Sequence, residues 1–168
     1  YLGTGARVWI IDVGRSYEKA CRNFGGSFIE FTENAGLSLN PFTFVDDIDE
    51  DMELLQPLLA QMVSPREPLE GFQYSTLGSA IKKVWRAKGR EMTVTDIHDL
   101  LATGRLDDPN DSDKEGSGSA TEGDRRLKDL AAMLQPYTRD GTYGKYFDSH
   151  ATIDFSSDFI VLELEELK

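Results

Sequence analysis

Two apolar runs in this sequence each stop on a carboxylate: Val8-Trp9-Ile10-Ile11-Asp12 near its start and Phe159-Ile160-Val161-Leu162-Glu163 near its end. A buried strand that delivers a carboxylate to its C-terminal edge can orient a magnesium ion or an attacking water, and open α/β sheets place their ligands at that edge. Asp12 therefore leads the candidates for catalysis. The same pattern arises wherever a buried strand reaches solvent, and Glu163 alternates with Glu165, a spacing that predicts one solvated face for the pair. Gly14 and Arg15 follow Asp12 in a short turn, and Arg139 precedes Asp140-Gly141. An arginine in such a turn can reach a phosphate, or it can pair with a neighbouring carboxylate, which for Arg139 would be Asp140.

Other chemistries lack their residues. The phosphate-cradling motif G-x-x-x-x-G-K-[ST] is absent: Gly144-Lys145 is followed by Tyr146, and Arg139 stands where the first glycine belongs. His98 and His150 have no ligand spacing around them, so no metal site is expected. One cysteine, Cys21, permits neither an internal disulfide nor a thiolate cluster, and a reducing compartment is the default.

The elements that must position these residues follow from periodicity. Arg7–Val13 reads as a strand, and its unbroken apolarity predicts cover on both faces, as in a parallel α/β sheet, with Trp9 in the core. Ser16 is placed to cap a helix running to Phe24, and Ser27–Phe31 reads as the next strand, which completes a βαβ unit. An amphipathic stripe follows on Ile48, Met52, Leu55, Leu59 and Met62, with acidic residues crowding its N-terminus and Pro57 inside it as a kink or break. A second helix is predicted from Ser75 with Trp85 on its core face. A third follows Thr93, with Asp96 set for a capping box and Gly104 as its stop. A fourth runs from Arg125 to Tyr137. Residues 107–123 have almost nothing to bury and read as a mobile loop. Phe159–Leu164 returns to strand.

Charge divides the chain as well. The net charge is −12, of which residues 46–124 carry −10 and residues 1–45 carry none. So acidic a surface argues against direct nucleic-acid binding and against docking on an anionic membrane. No apolar run is long enough to span a bilayer, and the lack of an initiator Met suggests that both ends are cuts. The expected organisation is an α/β core at 1–45, an all-helical insertion at 46–137 and a return to the core at 138–168.

Taken in order, Arg7-Val8-Trp9-Ile10-Ile11-Asp12-Val13-Gly14-Arg15-Ser16-Tyr17-Glu18-Lys19, Gly26–Phe31, Leu39-Asn40-Pro41-Phe42, Leu58–Met62, Pro136–Phe147 and Phe159–Glu165 resemble segments of the TraC-like ATPases of conjugative type IV secretion systems. The resemblance covers essentially the whole chain, least well at 107–123. It implies an α/β fold that is part of a RecA-like P-loop ATPase core (a parallel sheet) with an all-α insertion. It further implies a homo-hexameric motor that uses ATP and Mg2+, powers pilus assembly and DNA transfer, and works with other type IV secretion subunits from the cytoplasmic side of the bacterial inner membrane. In that family the phosphate-binding loop precedes a segment like 6–14 and the Walker B strand follows one like 159–165. The chain would fall between them and be inactive alone. By position Asp12 would stand near the γ-phosphate and its attacking water, with Gly14 and Arg15 beside the nucleotide, and Arg139 would reach a neighbouring subunit's site. Some RecA-like motors carry a catalytic Glu two positions beyond Asp12; here that position is Gly14. The competing expectation is a non-catalytic module whose acidic helical lobe binds a basic protein.

Overall fold

The computed structural model describes residues 1–32, 35–103, 106 and 122–165, so the loop expected at 107–123 and the stop expected at Gly104 lie almost wholly outside the described residues. The chain divides into two compact units, Tyr1–Ser38 with Thr152–Lys168, and Leu39–Ala151.

In the first unit the two carboxylate-ended runs form β1 (Val8–Asp12) and β3 (Phe159–Glu163), with α1 (Glu18–Asn23) and β2 (Ser27–Glu30) between them in sequence. The sheet is parallel throughout and its order is β1-β3-β2, so the last strand of the chain lies between the first two. Cys21 of α1 packs with Phe159 and Val161 over one face, joined by Val8, Ile10 and Phe28. The helix begins at Glu18 with Tyr17 in the cap position, one residue later than the expected cap Ser16.

The expectation that β1 is covered on both faces fails. Its side chains alternate in burial, and Trp9 and Ile11 face outward, Ile11 with 70% of its surface exposed. An unbroken apolar run fixes the strand but not which of its faces is packed. Trp9 is thus not a core residue; it stacks on Phe155 with ring centroids 5.0 Å apart.

The second unit is helical: α2 (Ile48–Val63), α3 (Gly71–Lys88), α4 (Val94–Ala102) and α5 (Glu122–Leu134). Its core is built from Leu55, Leu59, Leu77, Ile81, Ile97 and Leu130 with their neighbours, and Trp85 packs against it. Asp47 caps α2 by accepting from Asp49 N at 2.8 Å, and Asp49, Glu50 and Asp51 fill its first turn, where the helix dipole favours negative charge. Pro57 neither ends nor splits α2. The α4 capping box forms as its sequence predicts, Thr93 N donating to Asp96 Oδ2 at 2.9 Å. The start of α3 comes earlier than Ser75 because Glu70 and Gln73 form a second capping box. Asn40 of the Asn-Pro-Phe loop is buried. Its Oδ1 accepts from Phe42 N at 3.1 Å and its Nδ2 donates to Met92 O at 2.9 Å.

Candidate functional site

Parallel pairing brings three carboxylates abreast at the C-terminal edge of the sheet. Asp12 is the register partner of Glu163, and Glu163 is the partner of Glu30. The turn after β1 folds across this row in a conformation that side chains resist: Gly14 has φ 105° and Arg15 has φ 59°, and Arg15 is the one non-glycine residue with positive φ among the described residues. In this turn the N–H groups of Gly14 and Arg15 point the same way and make a concavity suited to an anion.

Glu163 fills it. Oε1 accepts from Gly14 N at 3.1 Å and from Glu165 N at 2.9 Å, and Oε2 accepts from Arg15 N at 2.7 Å. The residue is 1% exposed, so the expectation that Glu163 and Glu165 share a solvated face is overturned: the strand ends at Glu163, and Glu165 lies outside it and is exposed. Burial would raise the Glu163 carboxyl, but the three backbone N–H groups and the Arg15 charge outweigh it and hold the group below the ordinary glutamate value.

Asp12, 7% exposed, is pinned in the same way. Oδ1 accepts from Val13 N at 2.9 Å and Oδ2 from Tyr17 N at 3.0 Å, so its carboxylate joins the end of β1 to the start of α1. The Arg15 guanidinium pairs with Glu30 and stands 3.6 Å from Glu18. The structure thus brings Asp12, Gly14 and Arg15 together with two residues that sequence reasoning did not assign to a site, Glu163 and Glu30. A turn that aims two N–H groups at one point is best matched by an acceptor there, but nothing local in the sequence says that it comes from the far end of the chain.

Arg139 belongs to the other unit. It sits in the tight segment that follows α5, whose Tyr137 stacks on Tyr143 (centroids 5.4 Å apart) and meets Phe147 edge-on. A Cβ on Gly144 would stand 2.0 Å from Thr138 O, so that segment closes only with glycine there. Arg139 N donates to Thr95 Oγ1 at 2.9 Å. Its guanidinium pairs not with Asp140 but with Asp148, Nε donating to Oδ2 at 2.7 Å. The Asp148 side chain is 8% exposed against 74% for Arg139, and its Oδ1 is buried without a hydrogen bond in good geometry. Burial would raise the Asp148 carboxyl, but the nearby Thr95 and Thr93 hydroxyls and the Arg139 contact bring it below its ordinary value. A buried acid therefore holds one edge of an exposed guanidinium. No cluster of His, Cys, Asp and Glu suited to a metal ion occurs among the described residues.

The family model of the TraG P-loop domain matches residues 1–168. Protein TraC of Escherichia coli (strain K12) is 30% identical over 168 residues, an alignment that covers 99% of the chain and 18% of TraC. The structure of VirB4 of Thermoanaerobacter pseudethanolicus shares the fold with a TM-score of 0.69 at 20% identity, over 99% of the chain and 44% of that structure. The chain spans less than half of either relative.

Proposed function

Because the chain belongs to the TraG P-loop domain family, we propose that it forms the segment of a TraC-like type IV secretion ATPase that carries the sheet edge beside the nucleotide. We further propose that the whole protein acts as a hexamer, powering pilus assembly and DNA transfer from the cytoplasmic face of the inner membrane with other secretion subunits. No helix among the described residues is long and apolar enough to cross a membrane, which is compatible with peripheral attachment. The observation that carries the reading is the carboxylate of Asp12, fixed by two backbone N–H groups at the C-terminal end of a parallel strand.

ATP with Mg2+ is the group the family implies, and the residues present fit it in part. The N–H groups of Gly14 and Arg15, which would otherwise suit a phosphate, are already spent on Glu163. The phosphate cradle itself is missing from the sequence. Asp12 fits better, since a carboxylate offers about four acceptor positions and two are taken. When bound, the nucleotide and metal would supply an electrophilic phosphorus and its charge neutralisation. The chain's contribution is then to orient a water through the open acceptor positions of Asp12, with Glu163 and the turn keeping that carboxylate in place. Arg139, its Nε edge held by Asp148, would present its outer nitrogens to a neighbouring subunit as an arginine finger.

The isolated chain should neither bind nor hydrolyse ATP, and micromolar affinity in calorimetry with magnesium would defeat this division of labour. In a TraC-like protein carrying this segment together with a G-x-x-x-x-G-K-[ST] loop, Asp12→Asn should lower turnover by at least about a hundredfold in the folded fraction, alongside a drop in stability because its amide nitrogen would face one of the two backbone N–H donors. Arg139→Ala should lower it by roughly 10³-fold or more. Mixing with a phosphate-loop variant should restore part of the activity to Arg139→Ala, which acts across subunits, and none to Asp12→Asn, which acts within its own. Near-normal turnover in either variant would remove that residue's role.

A further inference from the structure

Leu54 and Leu58 stand one turn apart on the solvent side of α2, 75% and 47% exposed, although the opposite side of the helix is packed into the core. Gln61 continues their line at the next turn, and Pro57 lies beside it on the same surface. A cleft of about 380 Å³ opens along this side, between α2 and the connection to α3, with Pro57, Gln61, Leu69 and Tyr74 in its wall together with one charge of each sign, Arg66 and Glu67. The cleft is held open by its own hydrogen bonds. Gln56 Nε2 donates to Tyr74 O at 2.7 Å, Gln61 Nε2 to Pro65 O at 3.0 Å, and Ser64 Oγ to Glu67 O at 2.6 Å. A preformed cleft of this kind spares a ligand the cost of ordering it.

Charge narrows the choice of occupant. Residues 46–70 hold eight acidic side chains and one basic one, Arg66. Asp49 and Asp46 are paired with Lys82 and Arg90. Glu50 and Glu53 at one end of the exposed face, and Glu67 at the cleft, take no part in an ion pair among the described residues. A second copy presenting the same face would set acid against acid, and a nucleic acid or an anionic lipid would be repelled in the same way.

We propose that this face of the helical unit is a docking surface for a lysine- or arginine-rich amphipathic helix of a partner protein. Its apolar side chains lie over Leu54 and Leu58, one of them fills the cleft at Tyr74 and Leu69, and its cations meet Glu50, Glu53 and Glu67. A helix is the fitting shape because the exposed apolar pair stands at one-turn spacing on α2, and helix-in-groove recognition uses anchors at that interval. The inference stands apart from the nucleotide reading and needs no residue of the sheet.

The test is a fluorescence-anisotropy titration of the whole chain with a labelled synthetic Leu/Lys amphipathic helix, beside a Leu/Glu helix of the same pattern. The expected result is binding of the cationic helix alone. Leu54→Ser with Leu58→Ser, a change that alters no charge, should weaken it at least about tenfold while leaving the thermal midpoint in place. Glu53→Gln with Glu67→Gln should weaken it as well and flatten its salt dependence. Equal binding of the two helices, or cationic binding unaffected by the serine pair, would overturn the proposal. Self-association of the free chain in sedimentation, lost in the serine pair, would overturn it too, by making a second copy the occupant.

Discussion

Three backbone N–H groups converge on one carboxylate at Glu163, and that convergence gives the residue a pH signature. Its folded-state value is depressed, as is that of Asp148. Each therefore contributes stability that is fully present above the ordinary carboxylate range, near pH 4, and is lost as pH falls through the lower folded value. Urea unfolding should show a flat midpoint from about pH 7 to 5 and a decline below about pH 4. Glu163→Gln should lower the midpoint at neutral pH and make that decline shallower, because an amide nitrogen would face N–H donors that the carboxylate now accepts. Asp148→Asn should cost roughly 1.5–3 kcal/mol at pH 7, the usual scale for losing a hydrogen bond to a charged group. A variant of either kind with the parent's acid profile would show that the carboxylate in question is not what holds its segment.

The elements differ in how far sequence alone determined them. Thr93 and Asp96 lie three residues apart and need no information from elsewhere, so the start of α4 was readable, whereas the start of α3 was missed because its box uses Glu70 and Gln73 in place of the usual hydroxyl cap. Both carboxylate-ended strands were readable from their apolar runs, and so was their membership of one parallel sheet. Their order was not, since it depends on pairing between residues 151 apart in sequence, such as Val8 and Phe159, and the buried lot of Glu163 depends on the same pairing. The outward face of Trp9 and Ile11 was hidden for a related reason: periodicity reports what a strand is made of and not what is packed against it. The segment carrying Arg139 makes the sharpest demand on one position. Gly144→Ala would force a Cβ against Thr138 O and should destabilise the helical unit by about 2–3 kcal/mol, whereas Thr93→Ala at the α4 cap should cost only about 1 kcal/mol. Chemical denaturation of both variants checks that ranking, and a mild Gly144→Ala would mean that the turn has another way to close.

Across the molecule, the two units differ in how the chain reaches them. The helical one is a single stretch, Leu39–Ala151, with a hydrophobic core of its own, whereas the sheet needs residues from both ends. Residues 39–151 expressed alone should therefore unfold in one cooperative transition by circular dichroism, and a non-cooperative melt would show that its core needs the sheet. The strand order carries a further consequence for biosynthesis. β1 and β2 leave the ribosome early, yet they are not neighbours, and β3, the strand that each pairs with, is translated only after the whole helical stretch. At roughly 5–20 residues per second, the two early strands wait on the order of ten seconds for β3. During that interval the helices can form and the β1-β3-β2 pairing cannot, so the nascent chain passes through a stage with a folded lobe and a sheet still lacking its middle strand, the stage at which a chaperone would have most to protect.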